Sequence, residues 1–203
     1  MTNTRIALAL GLLIGIGAVH PASAGALYDN LGIEATTTPE VISADPLYAS
    51  FSTGASSAVL TEVDLLLDVA QYAKSGTGLV TIGLYADATL APGALLTTIA
   101  NQVSETVSGS TVVDFFLSSG YDLTADTRYW IGVTSSTTSL NWDWNQNTGG
   151  TGVAGEYSYS DGVAYDNPGN GPFEMRIPVP EPATLALLGA GLAGLTMSRR
   201  RRI

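Results

Sequence analysis

The chain has 203 residues, 45% of them hydrophobic and 13% charged, with no cysteine and a formal net charge of −10. Outside the two ends the only basic residues are Lys74, Arg128 and Arg176, while every acid except Glu181 lies between those ends. Such a surface repels nucleic acid and excludes that class of function; the missing cysteines exclude a disulfide-stapled fold and any thiolate metal site.

At the start, Arg5 precedes an apolar stretch from Ile6 to Val19, and Ala22-Ser23-Ala24 places small residues third-last and last before an expected cut. Residues 1–24 therefore read as a secretory signal peptide, with Ala22 and Ala24 setting the cleavage site. Residues 25–178 make up a single domain with room for a sizeable core. The one histidine, His20, leaves with the signal peptide. The mature domain then holds neither His nor Cys, so it cannot assemble a histidine-based triad or a zinc site of the usual ligands, and no catalytic residue is assigned.

From Val59 to Val69 the odd positions are Val59, Thr61, Val63, Leu65, Leu67 and Val69, and the even ones include Glu62, Asp64 and Asp68. Alternation of this kind predicts a half-buried strand with a solvated acidic face. Further strands are expected over Leu79 to Tyr85, Leu95 to Ala100, Val112 to Leu117, Arg128 to Thr134, Leu140 to Trp144, Glu156 to Tyr159 and Phe173 to Ile177. No segment carries a convincing amphipathic helix, and Gly, Ser, Thr, Asn and Pro punctuate every gap, as in Ala91-Pro92-Gly93. The fold class expected is all-β, an antiparallel β-sandwich of jelly-roll type.

Within this domain, Phe51-Ser52-Thr53-Gly54, Ile82-Gly83-Leu84-Tyr85-Ala86-Asp87, Pro92-Gly93-Ala94-Leu95-Leu96 and Leu123-Thr124-Ala125-Asp126-Thr127-Arg128-Tyr129-Trp130 follow one another in order. Their sequence resembles the choice-of-anchor extracellular domains, type R in particular. The resemblance implies an all-β module carried by alternative anchoring tails, and it brings no catalytic residues with it.

Two segments are candidates for ligands. Asn141, Asp143 and Asn145 alternate with Trp142 and Trp144, which on an extended strand separates an oxygen-rich face from an aromatic one. The oxygens suit calcium, although Gln146 stands where the sharp turn of a calcium loop calls for Gly. Trp142 and Trp144 are the candidate carbohydrate-stacking rings, while Trp130 falls inside an expected strand and is assigned to the core. No resident cofactor is expected, with calcium at Asn141, Asp143 and Asn145 as the one candidate.

The last segment, 179–203, begins Val179-Pro180-Glu181-Pro182, continues in the apolar run Ala183 to Met197 and closes on Ser198 and Arg199 to Arg202. At about 1.5 Å per residue the run reaches only about 22 Å, against a hydrocarbon core of about 30 Å, so a single marginal transmembrane helix is expected. Arg199, Arg200, Arg201 and Arg202 stop transfer and hold that end in the cytoplasm, which leaves the domain outside. Pro180 and Pro182 lack amide hydrogens and fix φ, making the tripeptide with Glu181 an extended, accessible handle. This arrangement resembles the PEP-CTERM sorting signal of Gram-negative bacteria. The resemblance implies that exosortase, a membrane-embedded cysteine transpeptidase, is the processing partner and that Pro180, Glu181 and Pro182 mark the chain for it. The expectation is an exported structural or adhesive protein, held in the inner membrane by its C-terminal helix before processing, then moved to the cell surface or extracellular matrix beside exopolysaccharide or biofilm. The alternatives are a carbohydrate-binding module and a calcium-stabilised surface domain.

Overall fold

The computed structural model describes residues 25–32, 40–42, 45–69, 79–103, 110–135, 140–144, 150–153, 155–166 and 171–179. Ala22 and Ala24 of the expected signal peptide, Asn145, the Pro180-Glu181-Pro182 handle, the apolar run and Arg199 to Arg202 lie outside the described residues. Among the described residues the regular elements are strands: β1 (Ala26–Asp29), β2 (Glu40–Val41), β3 (Leu47–Ser52), β4 (Ala58–Val69), β5 (Leu79–Asp87), β6 (Pro92–Val103), β7 (Thr111–Leu123), β8 (Arg128–Ser135), β9 (Leu140–Trp142), β10 (Thr151–Gly152), β11 (Ser158–Ser160), β12 (Val163–Tyr165) and β13 (Met175–Pro178). No helix among them is long and apolar enough to cross a membrane.

The strands form two antiparallel sheets. The first runs β10-β1-β13-β4-β9-β2 with β7 also paired to β4, and the second runs β12-β11-β3-β8-β5-β6. Strand β4 organises the first sheet because its length lets β13 and β9 pair with successive stretches of it, at Asp64 and Leu65 and then from Leu67 to Val69. Between them Leu66 is the joint: its carbonyl accepts the Asp143 amide at 3.1 Å and its amide donates to the Glu174 carbonyl at 3.1 Å. Leu65, Trp142 and Met175 from this sheet and Phe51, Leu84 and Ile131 from the other belong to one buried cluster. Each such side chain contributes about 1.5–3 kcal/mol by leaving water, which is what holds an exported domain without disulfides together.

The expected alternation of β4 holds from Val63 onward, where Val63, Leu65 and Leu67 are buried. It reverses before that point. Leu60 is buried and Val59 exposed, because a bulge between Leu60 and Glu62 inserts one extra residue against β7 and flips the face. The acidic face is also not simply solvated: Asp64 is fully buried.

The β5–β6 hairpin turns at Ala88 to Ala91, one step before the Ala91-Pro92-Gly93 punctuation. The Ala88 amide donates to the Ala91 carbonyl at 2.7 Å, and Thr89 and Leu90 hold φ of 61° and 64°. Two left-handed central residues are what a type I′ turn requires, at a steric cost for side chains with a Cβ. The Asp87 carboxylate offsets that cost by accepting the Thr89 amide at 3.2 Å.

Candidate functional site

Asn141 and Asp143 do project opposite Trp142, as alternation predicts, yet both are buried, with Asp143 held by the Ser110 hydroxyl at 2.8 Å. Burial pushes the Asp143 pKa up, the Ser110 hydrogen bond opposes that, and the Asp68 charge adds to it. The Asn141 side-chain oxygen is buried without a hydrogen-bond partner.

Trp142 corrects the expectation of an exposed stacking ring. It is fully buried, stacks on Phe173 with centroids 4.8 Å apart and donates its indole N–H to the Glu174 carbonyl at 2.9 Å. The physical reason is the register of β9: pairing with Leu67 places this ring on the core side of the sheet. Trp144 is half-buried, bridges to Phe173 and lines a cleft of about 240 Å³ with Glu40, Ser160, Asp161 and Tyr165. Glu40 in that cleft has its pKa raised by burial, with a hydrogen bond from Ser160 opposing the shift and the Asp161 charge adding to it. The arrangement offers two aromatic rings beside carboxylates and a hydroxyl, the polar and apolar mixture that a sugar ring can use.

Trp130 is fully buried but stands on the opposite face of β8 from the shared core, where Tyr159 meets it edge-on at 6.0 Å and Asp87 accepts its indole N–H at 2.8 Å. Tyr48 and Tyr85 sit beside it with ring centroids 5.2 Å apart. They lie over Gly132, where an added Cβ would fall 2.5 Å from the Tyr48 ring and 2.6 Å from the Tyr85 ring. This aromatic face comes from four strands far apart in sequence, and only the register that sets Tyr48 and Gly83 opposite Gly132 brings it together.

The most consequential geometry is at the end of β13. Ala26 pairs with Pro178, and the Val179 amide donates to the Gly25 carbonyl at 2.9 Å. Gly25 is the first residue after the expected signal cut, and Val179 is the last before Pro180-Glu181-Pro182. Both ends of the domain thus leave from one point, and the handle follows the folded sheet with only Val179 between them.

The model of the PEP-CTERM protein-sorting motif matches residues 178–202. No curated protein matches the chain. The motif supports a protein exported and sorted by exosortase through membrane anchoring, so the processing partner expected from the tail is the one this motif implies.

Proposed function

We propose that this chain is a structural or adhesive component of the cell surface or extracellular polymer matrix, delivered there by exosortase and acting without catalysis. The observation that carries the reading is the sorting motif at residues 178–202 directly behind β13. The domain is read as a sandwich of choice-of-anchor type: two antiparallel sheets sharing one core support the first part, and the order of its sequence motifs supports the second. With His20 in the signal peptide and no Cys, the mature domain lacks the usual nucleophilic and metal-hydrolytic sets. The test is to extract the polymer matrix from cells carrying the wild-type chain or the variant with Pro180, Glu181 and Pro182 all changed to Ala. The wild type is expected in the matrix extract and the variant in the inner membrane; the same distribution for both would overturn the proposal.

The cleft at Trp144 favours a second reading, a carbohydrate-binding module. Trp144→Ala and Tyr165→Ala are then expected to lose retention on exopolysaccharide while keeping the fold. Unchanged retention in both would eliminate it.

A further inference from the structure

On the face of the first sheet turned away from the core, antiparallel register lines up Asp29 of β1, Arg176 of β13, Asp64 of β4 and Asp114 of β7 across neighbouring strands. Glu62 stands two residues from Asp64 on that same face of β4. Carboxylate oxygens of Glu62, Asp64 and Asp114 all lie within 4.8 Å of one another. Directly opposed like charges repel, so this spacing calls for a counter-charge. Arg176 supplies part of it, donating from Nε and Nη2 to Oδ2 of Asp64 at 2.6 Å. The other oxygen, Oδ1 of Asp64, has no hydrogen-bond partner although the residue is fully buried. A buried carboxylate oxygen left unpaired carries a desolvation cost that a bound ligand removes.

We propose that Glu62, Asp64 and Asp114 form a calcium site on the outer face of the first sheet, with Asp64 Oδ1 as its buried ligand. With Asp29 also facing Arg176, one guanidinium serves four carboxylates, and the excess of negative charge suits a divalent cation. The donors are all hard oxygens with neither nitrogen nor sulfur, which selects against zinc and copper. Calcium holds oxygens at about 2.3–2.6 Å, so ligands across one ion stand up to about 5 Å apart, a spread these three carboxylates already satisfy. Asp114 is exposed, leaving one side open for water to complete the shell. A cleft of about 460 Å³ lined by Glu62, Asp29 and Arg176 adjoins the cluster on the Glu62 side. The site clamps β4 to β7 and is distinct from the oxygen-rich segment at Asn141 and Asp143.

The test uses the full-length chain in detergent, stripped with chelator and titrated with CaCl₂, with MgCl₂ in parallel, read by thermal melting and by titration calorimetry. Calcium at ten times its Kd is expected to raise Tm by about 3–6 °C. Because Asp64→Asn also disturbs the Arg176 pair, the decisive variants are the rim changes Glu62→Gln and Asp114→Asn. Both are expected to fold, by circular dichroism, and to lose the calcium shift, while Asp143→Asn keeps it. No shift and no binding heat for the wild type would overturn the proposal. So would a shift that survives in both rim variants, or one lost only in Asp143→Asn.

Discussion

Replacing Glu174 with Gln tests how the fold handles a buried charge. Glu174 lies where β4, β9 and β13 meet: its amide donates to the Asp143 carbonyl at 2.8 Å and its carbonyl accepts the Leu66 amide. Its side chain is fully buried and neither carboxylate oxygen has a hydrogen-bond partner. Burial pushes its pKa from 4.5 up to about 7; the nearby Gly32 backbone opposes the shift and the Asp143 charge adds to it. A folded-state pKa above the unfolded one means the protonated carboxyl favours the native state. That contribution is complete below about pH 4.5 and is lost as pH rises through 7. At about 1.4 kcal/mol per pH unit of displacement, Glu174 alone removes on the order of 2–3 kcal/mol between pH 5 and pH 8. The assay is urea denaturation at both pH values in the presence of chelator, followed by fluorescence of the buried Trp130 and Trp142. Glu174→Gln is expected to lose most of this pH dependence, whatever its absolute stability, because a neutral amide does not titrate. A variant with the full wild-type slope would show that Glu174 is not the titrating group and move the titration to Asp64 or Asp143.

Trp142→Ala is expected to cost about 3–5 kcal/mol, from the cavity beside Phe173 and the lost hydrogen bond to the Glu174 carbonyl, with a lowered urea midpoint as the readout. Arg176→Met strands the buried Asp64. The cost should be about 1–3 kcal/mol at pH 8, reduced because the Arg176 side chain is 43% exposed, and should shrink at pH 4.5, since burial already raises the Asp64 pKa to about 6. Replacing Thr89-Leu90 with Asn-Gly relieves two strained positions in the β5–β6 turn and should raise stability by about 1 kcal/mol, measured as an upward shift in Tm.

Much of the strand layout is legible in the sequence because alternation and Gly/Pro punctuation are local signals. Leu79 to Tyr85, Val112 to Leu117 and Arg128 to Thr134 fall within β5, β7 and β8. The strands the sequence does not announce, β1, β2, β10 and β12, span two to four residues and owe their pairing to neighbours more than to their own pattern. Strand β3 hides for another reason: Leu47, Ala49 and Phe51 point inward, but Ala49 is too small to mark the alternation. Periodicity separates Trp142 from Asn141 and Asp143 but does not say which face meets the core. Register decides that, and it buries both. The acidic stripe of β4 misleads in the same way, since Asp64 meets Asp114 and Arg176 only across strands more than 45 residues away in the chain. The sorting tail is the opposite case, a local signal readable without any fold.

Intact mass and membrane fractionation of the chain expressed with and without an exosortase test the sorting claim most directly. Loss of the tail near Pro180-Glu181-Pro182 and departure from the inner membrane are expected only when the enzyme is present. A full-length, membrane-bound product in both hosts would contradict it.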